Sequence, residues 1–549
     1  MKRREFILSL PLMIFSSKKI LANNGKNALI VSTSSNGYGC RKYTIAENKL
    51  LFLSYCKKYD ISPDFEGDMS NVVKLHVVDD IDDCDELIRK KIAEAFLKSS
   101  FLYLYGGGTL FVSSEIETQV SILGDGKTKI KQKGKNVSLL VLSKANITIK
   151  DIIITPSNYV RTIKKAGVEI RGVDNCRILN IIIQYVGENN TEGNGITINQ
   201  GSQNVINNCK FFGANLKDDV YHYQGGNDIS VYGESSKNII AFNNSVGRNI
   251  RGIFQLNDLL GKKCDENIYI ANHTDGALGY GHLCYEKRHN EKTSMSGTKF
   301  IRGVVKNISG SVKIPNGKYK DKKIFGMGVY NQAGKNTYIE DYLIDNVCSD
   351  TELTEVLPLA AIGSTTDSVT IKNNTIINSG ASGVKISPYE VLGNNELLII
   401  NNDIRNINKD GVVILNCKNV FLSNMSIVNC NYSLKLNNKK PNSSSASLSM
   451  IRSNDNKGIY INGFSNVSIS NFISINDINF LSAQKINNLS IDNGVVTNSK
   501  EVAFYISESC DNIMIDSVSI ANSRIGLNVP KWTIVKSVGF KNNSNNFER

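Results

Sequence analysis

One short pattern constrains this chain more than any other: apolar-x-Asn-x-x-apolar. It centres on Asp151, Asn180, Asn208, Asn243, Asp341, Asn373, Asn401, Asn424, Asn493 and Ser517, and Asn471 keeps its first half. Successive centres lie roughly 22 to 35 residues apart, apart from longer gaps at 243 to 341 and 424 to 471. A period of this size is the signature of a solenoid. Asparagine is depleted in strands, so its recurrence between strand-like runs needs a cause. A sharp bend supplies one, because asparagine tolerates the left-handed conformation. Stacked coils would then bring the side-chain amides within hydrogen-bonding reach along the axis. These asparagines are read as structural.

The repeat is made of strands. Period-two runs open most copies behind a Gly or Asp: GVEIRG at 167, GITINQ at 195, DISVYG at 228, GIFQLN at 252, GVKISP at 383, GVVILN at 411 and GIYING at 458. No helical spacing interrupts them. Several short strands per turn of about two dozen residues describe one coil of a parallel β-helix. Pro numbers only 8 and Gly 43, which suits a backbone whose donors sit in ladders. Residues 85–98 (DELIRKKIAEAFLK) place Ile88, Ile92 and Ala95 on one helical face, a lid for the exposed end of the column.

The order of cap helix, GGGTLFV from 106, ILGDGKTKI from 122 and Asn-rich coils resembles the pectate-lyase-like right-handed parallel β-helix superfamily, over roughly residues 83–530. The resemblance implies an all-β solenoid with an N-terminal cap helix. It leaves the reaction open among polysaccharide lyases, glycoside hydrolases, C5-epimerases, tailspike depolymerases and non-catalytic adhesins. It also implies an active site on one outer sheet face, walled by loops of neighbouring coils.

The ends and the interruptions divide the chain. Residues 1–22 read as an export signal: MKRRE, the apolar run 6–15, Lys18 and Lys19, then a cut near Ala22. Arg3-Arg4-Glu5-Phe6 resembles a twin-arginine signal, with ordinary secretion as the alternative. An exported, periplasmic or extracellular bacterial protein is expected, with no membrane span in the mature chain. Residues 23–82 read as a small leading subdomain, with a strand in KNALIVSTSS and a helix over 45–59. The column is expected over 83–540, with loop insertions near 257–340 and 437–457. Long excursions from a regular scaffold tend to carry function.

Charge narrows the partner. The formal net charge is +13; the signal carries five basic residues and one acidic, leaving about +9. The basic residues are scattered and no nucleic-acid motif is present, so an acidic polysaccharide is the expected partner. Oligomeric state is not legible. Eleven cysteines show no CxxC or zinc-type spacing and read as core filler, with Cys40 and Cys56 as the pair open to a disulfide. No cofactor is expected; Ca2+, which some lyases of this architecture use, lacks the dense carboxylate cluster of a strong site.

Four of the five histidines, His222, His273, His282 and His289, fall between 222 and 289. Uronate chemistry by β-elimination or C5-epimerisation needs a cation on the carboxylate, a base and an acid. The candidates are His222 as base, Tyr221 or Tyr223 as acid, and Arg248 and Arg251 on the carboxylate. His273, Tyr280, His282, Arg288 and Lys385 are candidate substrate contacts, with Glu169 and Tyr460 sharing Lys385's outward alternation. Asp219 and Asp228 supply the carboxylate pair a glycoside hydrolase would need. The alginate epimerases' Asp-Pro-His-Asp/Glu motif is absent, and Asn272-His-Thr-Asp275-Gly276 only echoes the polygalacturonase motif. A lyase leads, with a hydrolase or a non-catalytic glycan-binding surface protein as alternatives.

Overall fold

A computed structural model describes residues 39–65, 67–133, 137–156, 165–185, 194–216, 226–257, 259, 262–286, 295–323, 325–332, 334–352, 359–388, 396–439 and 444–548. The proposed export signal and the KNALIVSTSS strand lie outside these residues.

The strands wind into a column in which every strand pairing is parallel and joins one coil to the next. One coil runs Val168–Arg171, Arg177–Leu179 and Ile182–Gln184; the next runs Ile196–Asn199, Val205–Asn207 and Lys210–Asn215. Stacking them generates three ladders, here sheets A, B and C in that order. Inside sheet A, Ile253, His282, Val329, Ile362 and Val384 are successive register partners. A single imidazole therefore stands in an otherwise aliphatic ladder.

The corner from sheet B to sheet C is one left-handed residue. Asp151, Asn180, Asn208, Asp341, Asn373, Asn401, Asn424, Asn471, Asn493 and Ser517 all have φ between 51° and 59° there. Their amides form the expected axial chain: Asn401 donates to Asn373 (2.7 Å) and Asn424 to Asn401 (2.8 Å). One expected slot is displaced. The left-handed residue of that coil is Phe242, and Asn243 follows it, pointing inward to Asn272 (3.0 Å). A second left-handed asparagine comes five residues later in many coils, as at Asn378, Asn406 and Asn429.

Helix α2 (Asp85–Leu97) buries Ile88, Ile92 and Ala95 against the first strands, as the lid requires. Column pairing starts earlier than expected, at Val72–His76, and continues to Asn545–Glu548. The two presumed insertions are largely regular coils. Strands Ile268–Ile270, His273–Asp275, Lys299–Ile301 and Val304–Ile308 keep register across the first. Ser445–Asn454 pairs on both sides across the second, with Ser445, Ser447 and Ser449 outward and alternating with buried Ala446 and Leu448. Polar outward residues had disguised a strand as a loop.

Residues 39–65 form a strap along the outside of the column, where a separate leading subdomain had been expected. Helix α1 (Ile45–Tyr59) has a capping box between Thr44 and Glu47 and presses Phe52, Cys56 and Tyr59 on Val205, Ile239, Ile268 and Ile270 of sheet B. The strap is pinned from Gly39, whose N–H donates to Asn401 O (3.1 Å), to Asp64, paired with Lys150 (2.8 Å). It also explains the gap in the asparagine series. The corner residues Phe242, Ala271 and Arg302 replace asparagine where the strap covers them: Phe242 packs edge-on to Phe52, and Arg302 lies 3.5 Å from the Tyr43 ring centroid.

All eleven cysteines are free. Cys40 packs with Val304 and Leu343 on the outside of sheet C, and Cys56 packs on sheet B at the far end of α1, so the two do not pair. Burial pushes the Cys40 thiol up to about 11 and the Cys56 thiol up to about 12, as inert filler requires.

Candidate functional site

The connections identify one face. The B-to-C corners are tight, whereas long connections precede sheet A strands (156–167, 185–195, 216–226) and follow others (258–267, 287–298, 387–395). Sheet A is therefore the sheet whose strands have the longest connections at both ends in chain order. On its outward surface, Ser230, Phe254, Leu283, Tyr330, Gly363 and Lys385 are successive partners, continuing through Val413 and Lys435 to Tyr460.

The middle of this face is covered. Arg251, 5% exposed, opens the strand Arg251–Asn257, donates to Asn227 Oδ1 (3.1 Å), and lies 4.8 Å from the Phe254 ring centroid and 5.9 Å from that of Tyr280. Burial pulls its guanidinium down to about 10, so it remains charged at neutral pH. Tyr280 stacks on Tyr330 (5.9 Å) and meets Phe325 (5.3 Å) from the connection above. Lys385 is likewise buried, three coils along from Leu283. Beyond it the face opens. Lys435 and Lys457 both lie over the Tyr432 ring, at 5.8 and 5.6 Å, and Tyr460 lies 6.0 Å from that ring.

The structure separates the predicted residues. Arg251, Tyr280 and Lys385 share the sheet A face, as do Glu169 and Tyr460. Arg248 sits at the end of a sheet C strand, its Nε donating to Leu216 O (2.9 Å). His282 is not a substrate contact: it is fully buried inside the column, its ring nitrogens on Tyr342 Oη (2.9 Å) and Thr274 Oγ1 (3.2 Å). Burial drives its pKa down to about 3, leaving a neutral core imidazole. Since Thr274 faces inward, its neighbour His273 faces out from sheet C, on a different side from Arg251.

Asp228 also turns inward and is not half of an exposed carboxylate pair. It accepts from Tyr185 (2.9 Å), Asn249 (2.9 Å) and the Ser245 hydroxyl. Burial outweighs these donors and raises its carboxyl to about 6. Sequence alternation failed here because glycines at this register in other coils hide which way a side chain would point. Asp219, Tyr221, His222, Tyr223, Arg288 and His289 lie outside the described residues.

Two features escaped the sequence reading. Glu286 ends the sheet A strand Tyr280–Glu286; burial, with Asp265 adding repulsion and Lys335 opposing, raises its carboxyl to about 7. The Tyr432, Lys435 and Lys457 group was legible only through register, since its members come from two coils. Among the described residues, no cluster of three His, Cys, Asp or Glu side chains is placed to hold a metal, and no helix is long and apolar enough to cross a membrane. A depression of about 430 Å3 lies elsewhere, on outer sheet B, lined by Asn419, Phe421, Ser468, Asn488 and Met514. It offers amides and hydroxyls but no titratable pair.

Residues 360–520 match the family model described as right handed beta helix region. No curated protein matches the sequence. Among solved structures, the chain is similar to the PfbA surface adhesin of Streptococcus pneumoniae: 13% identity, 78% of this chain, 90% of that one, TM-score 0.36. It is similar to the Azotobacter vinelandii mannuronan C-5 epimerase AlgE4 A-module: 9% identity, 86% and 95% covered, TM-score 0.33. It is also similar to the catalytic unit of a GH87 α-1,3-glucanase from Streptomyces thermodiastaticus: 11% identity, 77% and 70% covered, TM-score 0.40.

Proposed function

We propose that this right-handed parallel β-helix is an exported carbohydrate-active protein that cleaves an acidic polysaccharide by β-elimination on the outer face of sheet A. The observation that carries the reading is Arg251, a buried cation seated among aromatic rings on sheet A. A fixed cation is the group that stabilises the negative charge growing on a uronate as its C5 proton leaves.

Arg251 would neutralise the uronate carboxylate and so acidify the neighbouring C5 proton. His222 would take that proton, the C4–O4 bond would break as the C4=C5 double bond forms, and Tyr221 or Tyr223 would protonate the departing oxygen. Incubation with polygalacturonate and with alginate tests this by the ultraviolet absorbance of the unsaturated product. Arg251→Ala should lower that rate by about 10²-fold. New reducing ends without the absorbance would replace elimination by hydrolysis, and full activity in the variant would remove Arg251 from the site.

Binding without turnover is the second reading. It is favoured by Asp228 turning into the core while lysines and tyrosines, groups suited to holding an anionic sugar, occupy the open part of the face.

A further inference from the structure

We infer that the open end of sheet A carries an exosite for acidic polysaccharide, formed by Lys435 and Lys457 on Tyr432 and extended by Tyr460 and Tyr505. This rests on the reading of sheet A as the glycan face, and goes beyond it by separating polymer capture from the stretch around Arg251.

Three observations converge. The first is charge: two ammonium groups lie within 6 Å of one ring centroid. The counterion is partial, because Asp410 reaches Lys435 only at 3.8 Å and is itself engaged by the Asn431 side-chain amide (2.7 Å). Lys457 has no ion pair among the described residues, and its side chain is exposed. Cation–π contact with one ring holds both ammonium groups at this place, where they can attract an anionic sugar.

The second is shape. Tyr460, Ser482 and Tyr505 are successive register partners, so the two tyrosines stand about 10 Å apart with a small serine between them. Tyr505 is 40% exposed. The saddle accepts one sugar ring, with tyrosine on either side to meet its apolar faces.

The third is direction. Lys385, Val413, Lys435 and Tyr460 are also successive partners, so the exosite continues the same row as the buried Lys385, about 10 Å away in the case of Lys435. An extended glycan parallel to the axis would meet the lysine pair while its other end runs along the row toward Lys385 and Arg251. A short oligosaccharide would reach only one of the two places.

The test is affinity electrophoresis of the whole protein in polygalacturonate, with trigalacturonate, galacturonic acid and inorganic phosphate as competitors and poly(dT) as a polyanion of another class. Wild type should prefer the polymer to the trimer. Lys435→Gln/Lys457→Gln should lose about five- to tenfold in polymer affinity, shrinking that preference, and raised salt should abolish the difference. Lys435→Arg/Lys457→Arg should restore it, which a mere loss of stability would not. Equal polymer affinity in the Gln variant would overturn the exosite and leave the Arg251 site standing. Equal competition by monomer or phosphate, or tighter binding of poly(dT), would overturn the glycan assignment. Lysine-dependent binding with no unsaturated product would support the exosite while sinking the elimination reading.

Discussion

His282 shows at residue scale how a chemically suggestive side chain becomes part of a core. Proximity in sequence groups it with three other histidines, yet a β-helix decides accessibility by alternation. Position 282 falls in the inward row between Ile253 and Val329, so the imidazole goes inside and finds Thr274 and Tyr342. Because its folded pKa of about 3 lies below the ordinary imidazole value of 6.5, the unfolded chain takes up the proton first as pH falls. The stability His282 contributes is thus complete above pH ~6.5 and is lost progressively down to about 3. At pH 5 the loss is about 2 kcal/mol. Denaturant melts of wild type and His282→Gln between pH 5 and 7 should show a shallower pH slope in the variant. An unchanged slope would place the acid sensitivity elsewhere. Asp228 runs the other way: its raised carboxyl makes ionisation near pH 6 costly to the folded state.

At the scale of elements, the strap is the least expected structure, and it accounts for what had looked like a broken repeat. Corner asparagines vanish at Phe242, Ala271 and Arg302 because those corners contact α1 and the residues before it. The helix at 45–59 was legible from its sequence, but its docking was not, because the surface it covers is assembled from coils far along the chain. The repeat, the lid and the strand character could be read directly, since each is written in local spacing. The site could be read only in part: Arg251, Tyr280 and Lys385 share a face, whereas His273 and His282 were scattered by register that no single stretch reveals. Phe52 is 3% exposed and anchors the strap, so Phe52→Ala should cost about 3 kcal/mol. Limited proteolysis should then cut faster within residues 39–65 while the column stays intact. Cutting that matches wild type would mean that the strap is held without this contact.

The whole molecule is a rod whose long sides differ in chemistry. Sheet A gathers Lys385, Lys435, Lys457 and tyrosines, while outer sheet B beyond the strap carries asparagine and serine. Its depression is lined in part by Glu396, and Asp492 and Asp516 are register partners on that side. A polyanion should prefer the first side and be repelled from the second. Hydroxyl-radical footprinting with and without polygalacturonate examines both at once. We predict that Tyr432, Tyr460 and Tyr505 lose labelling when the polymer is present while Phe421 and Met514 do not. Protection of Phe421 and Met514 with the tyrosines unchanged, or protection of neither group, would contradict the assignment of sheet A as the glycan face.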